Sequence, residues 1–278
     1  MQKHPASYKW KEDPIRKKAK EDIRKLFIDE YNRPKRTPYY ISQLQTILEK
    51  NYFDRIVYNA AMDLVQDSFL MKLEVQTKYA SKMVFFYNKR LENERDKPKV
   101  IKHIKSISKL VDKHANPKVT EILGRNLEGL VKYELRAQGF ENIKPDSNEF
   151  RGKRWTETDH NLDFIAEHKS GKLNVGIEVK NAMAVMDLEE IDLKIKMCRF
   201  LELVPVFAVR WIKPHQEHIN TQGGFCWVFK TQIFPLGFEE LTKRLWHQLK
   251  IPVIVRTDLP EKSIRLFENW VKLRTCNH

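Results

Sequence analysis

The sequence predicts an α/β protein in two parts. The first is a set of helices followed by a two-stranded ribbon. The second is a domain in which helices and strands alternate around a mixed sheet. Three observations predict this. Apolar residues recur at helical spacing up to about residue 66 and then give way to the strand-like runs LMKLEVQTK and SKMVFFYNKR. Beyond residue 119, helical and strand-like segments alternate, as an α/β layer arrangement requires. The charge is also uneven. Of a formal net charge of +14, residues 1–118 carry 27 Lys+Arg against 15 Asp+Glu, and residues 119–278 carry 24 against 22. A basic front half on a near-neutral back half suggests a polyanion-binding module joined to something else, with nucleic acid the first candidate and a Lys-rich solvated surface the plain alternative.

In the front part, Ile23, Leu26, Phe27 and Tyr31 predict a helix over 14–31, ended by Pro34 and Pro38. Ile41, Leu44, Ile47 and Leu48 predict a second helix, with Ser42 or Thr37 as its cap. Ile56, Ala60, Ala61 and Leu64 predict a third, with Asp54 as N-cap. The two β-rich runs follow, linked near Tyr79–Ser81. Residues 88–98 read as a polar linker, 99–114 as a Lys-rich helix, and Asn116–Pro117 as a break. The expected division is therefore 1–90, a helical linker 91–118, and a domain 119–278.

Helix, helix, helix and ribbon resembles the winged helix-turn-helix in pattern. That resemblance implies a third helix in the major groove presenting Arg55, Tyr58 and Asn59, with Lys72, Lys78 and Lys82 of the ribbon near phosphates. The alternative is a winged helix that binds protein.

The chemistry sits in LDFIAEHKSGKLNVGIEVKN, residues 162–181. Asp163 precedes a short apolar strand, and KSGK is a turn signal. In the next strand Val175, Ile177 and Val179 face one way. Asn174, Gly176, Glu178 and Lys180 face the other, so a carboxylate and an ammonium stand side by side, with Gly176 expected to leave open space. Phosphodiester hydrolysis needs a nucleophilic water and charge stabilisation. Two carboxylates can hold Mg²⁺ for both purposes, and a neighbouring lysine can serve the water or the phosphate. Taken singly, these residues are equally an ordinary ion pair on a sheet face and a strand-end cap.

Asp163, a turn and Glu178-Val179-Lys180 resemble the PD-(D/E)XK nuclease motif. On the preceding helix, Glu128 lies about three turns before Gly139-Phe140, as in archaeal Holliday-junction resolvases and Mrr-type restriction nucleases. The likeness covers about residues 119–212. It implies a restriction-endonuclease-like fold and a Mg²⁺-dependent DNA endonuclease, with Mn²⁺ able to substitute. Asp163, Glu178 and the carbonyl of Val179 would be metal ligands, Lys180 would serve the attacking water, and Glu128 would complete the metal site, through water or a second ion. A homodimer is also implied, because many relatives pair two sites to cut two strands. The chain departs from the pattern at Leu162, where the motif name has Pro. The helix after the E-V-K strand offers Lys194 and Lys196 but no Gln. A non-catalytic DNA-binding regulator or architectural protein and an RNA-acting nuclease remain the alternatives.

The loop SNEFRGKRWTETDHN interleaves Arg151, Lys153 and Arg154 with Phe150 and Trp155. Beside a cutting site this suits phosphate contacts and base stacking. Its plain alternative is a charged loop with Trp155 turned inward. Asp159 and His160 read as exposed loop residues. Other classes are disfavoured. Three scattered cysteines without a CxxC pair argue against a cysteine zinc site and suit a reducing, cytoplasmic compartment. The N-terminal residues lack an apolar leader pattern. No apolar run approaches the roughly 18–20 residues of a membrane span. HQEH at 215–218 misses zincin spacing and reads as loop, and GGF at 223–225 lacks a phosphate-loop lysine.

Overall fold

A computed structural model describes residues 13–80 and 82–276. Residues 1–12 and Ser81 of the ribbon link lie outside the described residues. The protein is mixed α/β and divides into two compact units, residues 1–117 with 244–251, and residues 118–243 with 252–278. Among the described residues, no helix is long and apolar enough to cross a membrane.

In the first unit, α1 (Pro14–Leu26) starts where the Asp13 side chain accepts the Ile15 N–H and Pro14 presets the first turn. It stops five residues before the expected 31. Asp29 Oδ1 accepts the N–H groups of Tyr31 and Arg33, and Asn32 takes a left-handed φ of 57°, so a local turn outcompetes the helix. Tyr31, expected inside, is exposed.

A two-residue strand, β1 (Tyr39–Tyr40), leads directly into α2 (Ile41–Leu48). Tyr40 holds the N-cap position without a side-chain cap, so neither Thr37 nor Ser42 caps this helix. In α3 (Asp54–Gln66), Val57, Ala60, Ala61 and Leu64 form the buried stripe. Asp54 is the first helical residue and Phe53 the N-cap. β2 (Leu70–Gln76) and β3 (Lys82–Asn88) pair antiparallel over their whole length, and β1 joins the free edge of β3. Ala19, Ile23 and Phe27 pack with Leu44, Val57, Ala61, Leu64 and Phe86 to form the core.

The segment expected as a linker is built into this unit. Its helix α4 (Lys97–His114) buries Val100, Ile104, Ile107, Leu110 and Val111. Asp112 of α4 accepts the Tyr79 N–H at 2.6 Å, and Asp96 pairs with Arg36 at 2.9 Å.

The second unit begins with α5 (Pro117–Ala137). The predicted loop after it carries strands. β4 (Phe140–Ser147) is followed by the small hairpin β5 (Glu149–Phe150) and β6 (Lys153–Arg154). Arg151 and Gly152, at φ 49° and 80°, make that hairpin's two-residue turn, and two positive φ values match a type I′ turn. The main sheet runs β10-β9-β8-β7-β4. β7 (Leu162–His168) is antiparallel to β4 and to β8 (Asn174–Lys180). After α6 (Leu188–Phe200), β9 (Val204–Val209) lies parallel to β8. After α7 (Gln216–Thr221), β10 (Phe225–Val228) lies parallel to β9. The HQEH segment, read as loop, therefore leads into a short helix.

β11 (Gln232–Phe234) and β12 (Val253–Val255) flank α8 (Glu239–Leu249) and pair only with each other. IPVIV thus lies outside the main sheet. Last comes α9 (Glu261–Thr275). Leu127, Val131 and Leu135 of α5 and Phe267 and Val271 of α9 cover one sheet face over Phe164, Ala166, Val175 and Ile177. Met197 and Cys198 of α6 cover the other over Ile165. The result is three layers, with the site-bearing strands central.

Candidate active site

The register of β7 and β8 brings the two main carboxylates together. Phe164 pairs with Ile177, so one step further along Asp163 stands across from Glu178, on the face covered by α6. The backbone N–H of Val179 donates to Asp163 Oδ2 at 2.6 Å. Lys180, two residues beyond Glu178, shares its face. The next residue anchors the strand end. Asn181 Nδ2 donates to the carbonyls of Leu123 and Ile233, and Asn181 Oδ1 accepts the Ile233 N–H.

Helix α6 supplies what the sequence left open. A Cβ on Gly176 would lie 2.6 Å from Cys198 Sγ and 2.8 Å from Leu162 Cδ1. Gly176 therefore does not leave open space. It lets α6 lie close on the sheet. One face of that helix then offers Glu190 and Lys194, four residues apart. Lys194 Nζ pairs with Glu178 Oε2 at 2.6 Å and donates to the Asn161 carbonyl. Their side chains are only 8% and 12% exposed, so this pair is shielded from solvent. Lys180 Nζ donates to Glu190 Oε2 at 2.6 Å. Lys196 instead pairs with Glu157 at the surface and lies 5.7 Å from the centre of the Trp155 ring. Of the two lysines the helix offered, Lys194 is the one in the site.

The electrostatics record how crowded the carboxylates are. Burial, then the charge of Asp163, pushes Glu178 up to about 7, against the pull of Lys194. Burial raises Asp163 as well, opposed by the Val179 N–H and by Lys194. Glu128 of α5, half-buried, is raised by burial and then by Asp163. Glu190 and Asp146, neither singled out from sequence, act on Asp163 in the same direction. Charged carboxylates thus outnumber the ammonium groups of Lys180 and Lys194, and a buried excess of one sign favours protonation or a bound cation.

Two close carboxylates with raised proton affinity suit a divalent cation with oxygen ligands. The third carboxylate does not join them: among the described residues, no three His, Cys, Asp or Glu side chains are arranged to hold one ion. Glu128 stands near enough for the charge of Asp163 to reach it. Gly124 lies beside it on α5, where an added Cβ would stand 3.9 Å from Glu128 Oε1.

The basic hairpin differs from its expected form. Trp155 is buried, donates from its indole N–H to Thr158 Oγ1 at 2.9 Å, and meets Phe200 edge-on. Phe150 is buried too, so neither ring is free to stack on a base. Arg151 pairs with Glu167 and Lys153 with Glu202, both at the surface, while Arg154 is exposed. Asp159 and His160 are exposed, as expected.

Of the nucleic-acid candidates in the first unit, Arg55 is exposed and Tyr58 is half-buried. Asn59 is half-buried, and its carbonyl accepts from Arg16, which also pairs with Asp63 at 2.6 Å. Lys72 and Lys82 share Glu74, and Lys78 stands 4.8 Å from the centre of the Tyr79 ring.

Compared with family models, with curated proteins and with solved structures, the chain finds no match.

Proposed function

We propose that the chain is a Mg²⁺-dependent DNA endonuclease with a site of the PD-(D/E)XK type. The observation that supports this most is the solvent-shielded pair Asp163 and Glu178, held on adjacent strands with Lys180 beside them and with proton affinities raised first by burial and, for Glu178, then by the charge of Asp163.

In this reading Asp163 and Glu178 would hold the cation through carboxylate oxygens and Val179 through its carbonyl, with Glu128 acting at one remove. Mg²⁺, or Mn²⁺ in its place, would supply a coordinated water of lowered pKa and offset charge developing on the phosphate. Lys180 orients the attacking water and donates to a phosphate oxygen. Glu190 occupies one of the three ammonium protons of Lys180 and so aims the other two. Lys194 balances Glu178 and holds the β7 approach through the Asn161 carbonyl.

The first unit supports the DNA assignment by its element order. Helix, short strand, two helices and a hairpin whose strand pairs with the short one match a winged helix-turn-helix. Arg55, Tyr58 and Asn59 would then face the major groove, with Lys78 and Lys82 at phosphates. Cutting both strands of a duplex would call for a homodimer.

A non-catalytic DNA-binding protein is the second reading. One observation favours it: Lys180 and Lys194 are both already paired with carboxylates, so the site is partly neutralised from within. Incubation with linear, branched, flapped and single-stranded DNA, and with RNA, in Mg²⁺ or Mn²⁺ separates the two. Cleavage of a DNA form supports the endonuclease. Cleavage of RNA alone reassigns the substrate, and cleavage of nothing leaves the binding protein.

A further inference from the structure

We propose that the outward face of α4 binds the phosphate backbone of duplex DNA. This rests on the reading of the chain as DNA-acting, but assigns the contact to a helix that entered that reading only as a linker.

Successive residues on an α-helix are about 100° apart. On that geometry Lys99, Lys102, Lys105, Ser106, Lys109 and Lys113 fall on one arc of α4, opposite the buried stripe of Val100, Ile104, Ile107 and Val111. All six are exposed. The one acid in α4, Asp112, lies at the margin of the arc and is turned to the Tyr79 and Ala80 amides. Lys97, at the edge, is paired with Glu92. Among the described residues, none of the five lysines on the arc has an ion-pair partner. The lysines therefore repel one another at spacings of three and four residues. A polyanion relieves that repulsion.

The geometry suits a duplex. Lys99 to Lys113 is fourteen residue steps, about 21 Å at 1.5 Å per residue. That length of duplex carries about a dozen phosphates on its two strands, and those on the near side can meet the stripe. Helix α3 is less suited to dominate affinity. Its Asp63 and the C-cap Asp67 bring negative charge to it and are engaged by Arg16 and Lys20 of α1. The apolar face of α4 is buried in the fold, which argues against insertion into a lipid surface.

The test is binding of a fluorescent duplex by the full chain without divalent cation, followed by anisotropy across salt concentrations, for wild type and for Lys102→Gln/Lys105→Gln/Lys109→Gln. Exposed Lys-to-Gln changes remove like-charge repulsion and should leave the melting transition unmoved or slightly raised. The expected result is a salt-dependence slope reduced by about 0.9 per lysine and an affinity lower by on the order of 10²-fold at moderate salt. A triple variant with wild-type affinity and slope overturns the proposal. So does a wild type that binds no duplex, or one that prefers anionic phosphatidylserine vesicles. Cleavage measured in parallel keeps the two claims apart. Duplex binding through α4 without cutting sinks the nuclease and leaves this surface, whereas cutting with an unaltered triple variant does the reverse.

Discussion

The backbone amide of Val179 donates to the Asp163 carboxylate at 2.6 Å, which ties the middle of the Glu-Val-Lys strand to the acid sixteen residues earlier. Asp163 in turn raises the proton affinity of both Glu178 and Glu128. Asp163→Asn keeps an acceptor for the Val179 N–H but removes that charge. Titration by carboxyl-carbon NMR should then find Glu178 and Glu128 shifted down toward ordinary glutamate values. Unmoved titrations would mean that the three groups are not coupled.

Glu178 also sets a pH dependence. Its folded value of about 7 lies above the 4.5 of an unperturbed glutamate. The folded state therefore binds the extra proton between those values. The stability this group contributes is fully present below about 4.5 and is lost as pH rises through about 7. In chelator, the melting temperature should fall over that window. A divalent cation, which needs the charged carboxylate, should flatten the fall and should bind more tightly as pH rises through 7. Melting curves with chelator and with Mg²⁺ test both statements.

Lys194 should matter far more than Lys196. Removing one member of a shielded pair leaves a buried charge, so Lys194→Ala should destabilise the fold by roughly 3 kcal/mol and push Glu178 higher still. Lys196→Ala breaks a solvent-exposed pair and should change stability by less than about 1 kcal/mol. Urea titrations of the two variants should separate them clearly.

Gly176→Ala tests the close seat of α6. The added methyl meets Cys198 and Leu162 inside contact distance, and overpacking of this kind costs roughly 1–3 kcal/mol. A variant as stable as wild type would show that α6 is not held so near the sheet.

These relationships differ in how far the sequence reveals them. The two-residue alternation of 174–180 places Glu178 and Lys180 on one face, and Ala60, Ala61 and Leu64 of the α3 stripe follow from spacing, although Val57 is buried where the spacing predicts Ile56. β4 and the β5–β6 hairpin are hidden because they are short or mostly exposed and therefore carry no apolar alternation. The end of α1 is decided by Asp29, whose local turn leaves the apolar spacing intact. Trp155 is ambiguous from sequence, since an aromatic beside arginines suits a core and a nucleic-acid surface equally. Gly176 and Glu190 depend on where α6 lies, which is tertiary information. The one sequence clue to Glu190 is its four-residue spacing from Lys194.

Lys180 probes the proposed cutting site of Asp163, Glu178 and Lys180 with the least disturbance, since it is partly exposed and is paired with Glu190. The direct measurement is single-turnover DNA cleavage in Mg²⁺ by wild type and Lys180→Ala, with melting and duplex affinity followed alongside. Wild type should cut, and the variant should cut on the order of 10²-fold more slowly or worse while folding and binding as before. Equal cleavage rates, or a wild type that cuts no DNA form, would contradict the account.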